Sequence, residues 1–172
     1  VPSTDVQDLW RCFVSPATKN YLIISIDRDT LIARGTPARL NDGELLIDSL
    51  TMAEHMSVRN QFIELPENVE NDLIKSAEQF SDNYGQWVKE IRTGDPELYR
   101  RWGLFRRDAI LDIFVRRLAS FDLQNAEISL FAGQMRSAQR AQYTERKSAA
   151  GTGQAYVTDA AKSLSLRDDE EH

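Results

Sequence analysis

The chain has 172 residues and a formal net charge of −6, with 41% hydrophobic and 28% charged residues. These proportions fit one globular domain with a sizeable core and exclude global disorder. No run of about 18 apolar residues occurs, so no helical membrane span is expected, and Val1-Pro2-Ser3-Thr4-Asp5 lacks the basic and apolar regions of a retained secretory signal. A single cysteine, Cys12, excludes an internal disulfide and points to a reducing setting such as cytoplasm or a virion, not a disulfide-forming export route.

Val6, Leu9, Trp10 and Phe13 recur at helical spacing behind a Thr4/Gln7 capping box, and Ser15-Pro16 ends that first helix. Cys12 beside Phe13 reads as a small buried hydrophobe. Tyr21 to Ile26, rich in β-branched residues, is followed by Asp27-Arg28-Asp29 and Thr30-Leu31-Ile32-Ala33, a hairpin pattern closed by Gly35 and Pro37. Asn41-Asp42-Gly43 is a turn signal, after which Glu44 to Ile47 supplies a third strand.

Thr51-Met52-Ala53-Glu54 is a second capping box and opens a short helix whose inner face is expected to hold Met52, Met56, Arg59 and Phe62. Beyond Leu65-Pro66, the series Val69, Leu73, Ile74, Ala77, Phe80, Tyr84, Trp87, Val88 and Ile91 predicts one continuous helix of six turns. Its solvated side carries Glu70, Asp72, Lys75, Glu78, Asp82 and Lys89, and it stops at Thr93-Gly94. Asp95-Pro96-Glu97 joins an N-cap carboxylate to a first-turn proline and starts the next helix.

That next helix carries two apolar stripes: Leu98, Trp102, Phe105, Ala109 and Ile113, then Leu104, Leu111, Val115 and Leu118. A helix apolar on two sides suits a position between neighbours, so Leu104, Leu111, Val115 and Leu118 are candidate residues of a self-association interface. Gly103 loosens it by about 1 kcal/mol relative to alanine. Asp122 is placed as the cap of a last helix with Leu123, Leu130, Phe131, Met135 and Ala138 inward and Arg136, Arg140, Arg146 and Lys147 toward its C-terminal end. From Ser148 the composition turns to Ala, Gly, Ser and Thr and ends on Asp168-Asp169-Glu170-Glu171, which reads as a mobile acidic tail. The expected fold is therefore α+β, predominantly α: a helical bundle with a small N-terminal antiparallel sheet, globular over 1–147 with a tail at 148–172.

No catalytic constellation stands out. The histidines are His55, read as a surface residue beside Glu54, and the terminal His172, and one cysteine with two distant histidines makes no zinc set. The glycines never fall as GxGxxG or as a P-loop, Gly151-Thr152-Gly153 reads as linker, and Asp27 with Asp29 reads as turn chemistry and not as a cation site. No cofactor or metal is expected.

The arginines are the distinctive feature. Sixteen of the 21 basic residues are arginine, and nine of those lie between positions 95 and 147, the only stretch with excess positive charge. Arg100-Arg101, Arg106-Arg107 and Arg116-Arg117 form adjacent pairs, the first four interleaved with Tyr99, Trp102 and Phe105. Planar guanidinium forks beside aromatic rings suit phosphate gripping and base stacking on single-stranded nucleic acid. The plainer reading is that Glu97–Arg101 and Asp112–Arg116 ion pairs, with Asp108 beside Arg107, satisfy these groups on the helix itself. The functional expectation is a non-enzymatic assembly subunit, of nucleocapsid or filament-coat type, that self-associates into homo-oligomers and binds RNA through Arg100, Arg101, Arg106, Arg107, Arg116 and Arg117. The alternative is a scaffolding module that docks an acidic protein surface. Neither involves a membrane.

Overall fold

The computed structural model describes residues 6–15, 20–35 and 39–152, with side chains described from Leu9 to Tyr143. Among the described residues the architecture is α+β and mainly α, as expected: helices α1 (Val6–Val14), α2 (Met52–Ile63), α3 (Asp72–Ala77), α4 (Tyr84–Gly94), α5 (Pro96–Ala119) and α6 (Asn125–Thr152), with strands β1 (Tyr21–Ser25), β2 (Thr30–Arg34) and β3 (Glu44–Ile47).

The hairpin forms as read, and β3 joins the free edge of β1, giving the antiparallel order β2-β1-β3. Leu22 and Ile24 of the central strand, with Leu31 and Ile47 of its neighbours, enter the main core. The turn before β3 needs Gly43. Its φ is +76°, and a Cβ there would stand 2.7 Å from Oδ2 of Asp27. The outer edge of β2 is covered by α6: Leu31 N–H donates to Oε1 of Gln134 at 2.8 Å, and Nε2 of Gln134 donates to the Asp29 carbonyl at 2.7 Å. One side-chain amide thus replaces a neighbouring strand.

A helix end leaves its last carbonyls without intrahelical donors. At α1 each is met. Ser15 N–H donates to Arg11 O, Oγ of Ser49 to Cys12 O, Leu50 N–H to Phe13 O, and Nε2–H of His55 to Val14 O, all between 2.8 and 2.9 Å. The segment from Ser49 to His55 therefore clasps the end of α1. Arg117 of α5 grips the same segment from the other side. Its Nε donates to Asp48 O at 2.8 Å and Nη2 to Ser49 O at 3.0 Å, while both Nη groups engage the Glu54 carboxylate. Its guanidinium also stacks 5.4 Å from the Phe13 ring centroid. The Arg117 fork holds the Glu54 carboxyl below its ordinary range, and Glu54 completes the expected capping box with Thr51.

Three corrections concern the elements. His55 is not a surface residue: the inner face of α2 is His55, Val58, Arg59 and Phe62, while Met52 stands 44% exposed. The helix expected across 69–91 is broken. Asn71 caps α3, a 3-10 turn follows at Glu78–Phe80, and Asn83 caps α4 by accepting the Gln86 N–H at 3.1 Å. Asparagine side chains compete for backbone donors, so the chain restarts there although its apolar spacing continues. Ile74, Ala77, Tyr84, Trp87, Val88 and Ile91 are buried as read, but Val69 precedes the helix and is half exposed. The last helix begins at Asn125, with Glu127 accepting the Gln124 N–H at 2.9 Å, so Asp122 lies in the preceding turn. Leu130, expected inward, is 42% exposed.

The α6 helix runs through the 147/148 junction to Thr152. The proposed caps and breakers at Thr4, Pro16 and Pro37, and the tail from Gly153 onward, lie outside the described residues. At the centre, Trp102 of α5 meets Trp87 of α4 and Phe62 of α2 edge to face, with centroids 5.3 and 5.2 Å apart. Arg59 lies 5.8 Å from the Trp87 centroid. On the α1 side Phe13 packs against Phe114 at 5.1 Å.

The clasp predicts a pH dependence. Burial, followed by the nearby Arg106 charge, pushes the His55 pKa down to about 4, below the unfolded value of about 6.5. The neutral ring contributes stability that is complete above about pH 6.5 and is lost as pH falls toward 4, a change of about 3 kcal/mol. Urea melts should show this slope in the wild type and its loss in His55→Gln, whatever that variant's stability at pH 7.5. Arg117→Ala should lower stability by about 2–3 kcal/mol, because Glu54 and two loop carbonyls lose their donors. Arg117→Lys should recover only part of that, since an ammonium lacks the fork. Gly103 and Gly133 each have open space where a Cβ would stand. Gly103→Ala and Gly133→Ala should each stabilise by about 1 kcal/mol, roughly 2–4 °C in Tm by calorimetry.

Candidate nucleic-acid interface

Successive helical residues point about 100° apart, so an adjacent pair cannot share a face. On α5 each arginine pair splits accordingly. Arg100, Arg107 and Arg116 point toward solvent to differing degrees, whereas Arg101, Arg106 and Arg117 turn inward.

The inward three are committed to the fold. Arg106 is 2% exposed, and its charge is felt at the His55 ring. Arg101 donates to Oδ1 of Asn68 at 3.2 Å, and Asn68 is buried and itself donates to Phe62 O. Arg117 is the clamp already described.

The outward three are not a free positive array either. Arg100 pairs with Glu97 at 2.7 Å, one residue short of the expected Glu97–Arg101 spacing, and the pairing holds the Glu97 carboxyl below its usual range. Arg107 pairs with Asp108 at 3.0 Å. Arg116 is exposed and makes no ion pair with Asp112 or any other described residue. The exposed ridge at four-residue spacing reads Arg100, Leu104, Asp108, Asp112, Arg116. Its charge cancels, a poor surface for a polyanion.

Of the apolar stripe assigned to self-association, Leu118 is fully buried and Leu111 is 8% exposed, both within the chain's own core. Leu104 is 41% exposed and Val115 half-buried. The second apolar side of α5 is thus largely used internally. A groove of about 360 Å³ lies between the end of β3 and the last turn of α5, lined by Leu46, Ile47, Asp48, Ser120, Phe121, Arg116 and Arg117. The charges of Arg116 and Arg117 there stand against Asp48 and the partial negative charge of the helix end, and the Arg117 fork is already engaged by Glu54.

A different surface combines exposure with unpaired charge. Along α6, Arg136, Arg140 and Tyr143 follow at i, i+4 and i+7 and so share one face. Both arginines are exposed and make no hydrogen bond or ion pair among the described residues. Tyr143 is 61% exposed, the most exposed of the large apolar side chains described. No carboxylate occurs between Glu127 and Glu145. Since α6 runs on to Thr152, Arg136 and Arg140 sit in mid-helix, and the dipole does not account for them. The four-residue spacing is visible in the sequence, whereas the adjacent pairs on α5 cannot form one face.

Among the described residues no group of three or more His, Cys, Asp or Glu is placed to hold a metal ion. His55 is sealed in the core, and Cys12 is a buried free thiol, as expected. No protein-family model matches this chain, and searches of the curated proteins and of the solved structures find no match either.

Proposed function

We propose that the protein is a non-enzymatic assembly subunit, of coat or nucleocapsid type, that binds RNA phosphates, with the contact on α6 in place of the paired arginines of α5. The observation that carries this reading is the outer face of α6, where Arg136 and Arg140 are exposed without a described partner in a stretch free of carboxylates. Guanidinium donors left unused by the fold are available for phosphate oxygens. Two such groups per chain bind weakly on a body of net charge −6, so useful occupancy comes from many copies arrayed along one RNA. Homo-oligomerisation is therefore part of the proposal. Leu104 and Leu130, both exposed, are apolar surface on which copies can meet.

Guanidinium also grips carboxylate, so docking of an acidic protein surface is the second reading. Freshly purified protein separates the two. Size-exclusion chromatography read at 260 and 280 nm should show nucleic acid co-eluting with a species larger than the monomer, and negative-stain microscopy should show ordered assemblies. A monomer at every pH and salt concentration, with no nucleic acid and with salt-sensitive binding to an acidic peptide, would establish the second reading instead.

A further inference from the structure

We propose that the outer face of α6 is a site for single-stranded RNA, in which Arg136 and Arg140 hold two successive phosphates and Tyr143 stacks against a base. This deepens the RNA-binding reading and rests on it. Side chains four apart on a helix have their Cβ atoms about 5–6 Å from one another, a separation that long guanidinium stems can match to neighbouring phosphates of one strand. Tyr143 follows three residues after Arg140, so its ring continues the same line. A tyrosine that is 61% exposed gains little from the fold in that position, and an aromatic face open to solvent is the platform on which unpaired bases stack.

The relief of the helix agrees. Ser129, Gly133 and Ser137 surround the approach to Arg136, and a Cβ at Gly133 would meet nothing within 4 Å. A backbone of phosphates and sugars can therefore lie close to α6. Duplex RNA hides its bases and would leave Tyr143 unused, and an acidic peptide has no need of an aromatic platform. Together the two arginines and the ring favour the single strand.

Fluorescence anisotropy of the full chain with labelled 12-nucleotide oligo(A) and oligo(U), across a salt series, tests the site. Arg136→Ala with Arg140→Ala should reduce the magnitude of the slope of log K against log salt by about 1.4, because each single-strand phosphate contact contributes about 0.7. Tyr143→Ala should weaken RNA binding by about fivefold or more, while Tyr143→Phe retains it. Heparin, a polyanion without bases, should be bound equally by wild type and Tyr143→Ala. All three positions are exposed, and unchanged circular dichroism and melting of the variants would confirm that folding is intact.

The site is overturned by an unchanged salt slope in the double arginine variant, or by Tyr143→Ala losing RNA and heparin equally. It is overturned too if an RNA duplex or a polyglutamate peptide binds as tightly as the single strand. RNA binding that survives all these variants refutes the α6 site alone and leaves the RNA-binding reading standing. Wild-type protein that binds no RNA at low salt refutes both.

Discussion

The carbonyl end of α1 is the constraint on which the arrangement depends. A short helix buried against other elements must find donors for its last C=O groups or forfeit the free energy of their hydration. Here Cys12, Phe13 and Val14 find them in three successive ways: a hydroxyl from Ser49, a backbone N–H from Leu50 and an imidazole from His55. Because these donors belong to the connection between β3 and α2, sheet and bundle are joined there as well as at the Gln134 contact of α6 with β2. Arg117 closes the same segment from α5 and reaches the Phe13 ring. The positions of α1, β3, α2 and α5 are thus set by a common network. Such a network favours a single arrangement when complete and is costly when any member is missing.

Much of this was legible. Runs rich in β-branched residues and bounded by turn signals placed β1, β2 and β3, and the Thr51/Glu54 pair placed the start of α2, because in those cases local pattern and tertiary packing agree. Where they diverged the sequence was ambiguous. The apolar spacing from Leu73 to Ile91 is continuous in register, so nothing in it records that Asn83 diverts the backbone. Only the capping chemistry of Asn71 and Asn83 carries that signal, and asparagine is tolerated within helices too. His55 was misplaced for a related reason. Its partner is a carbonyl 41 residues earlier in the chain, and no local pattern reports a contact of that range.

The arginines show the same limit at the charged surface. A run of two basic residues looks like concentrated charge on the page, yet helical geometry divides each pair between surface and interior. Arg117 became structural because an arginine fork can be buried where carbonyls, a carboxylate and a ring surround it, and Arg106 is buried as well. The exposed members then met carboxylates supplied by their own helix, Glu97 and Asp108. On α6 the spacing of four keeps the guanidiniums on one face, and the local sequence supplies no acid to neutralise them. Separation along the chain, not adjacency, is what builds a charged face on a helix.

An acidic protein with a basic face differs physically from one that is basic throughout. At physiological ionic strength charges are screened over about 8 Å. A phosphate close to Arg136 and Arg140 therefore responds mainly to those groups and only weakly to the acids that line the solvated sides of α3 and α4. Over longer distances the net charge of −6 opposes approach of the same polyanion. Local attraction set against global repulsion makes single-copy binding weak and sensitive to orientation. Copies aligned by protein contacts would, on the proposed function, present their α6 faces in series, so that each bound phosphate raises the effective concentration of the next. On the proposed function, occupancy of RNA is thereby coupled to assembly: an isolated subunit binds little, and an ordered row of subunits binds along its length.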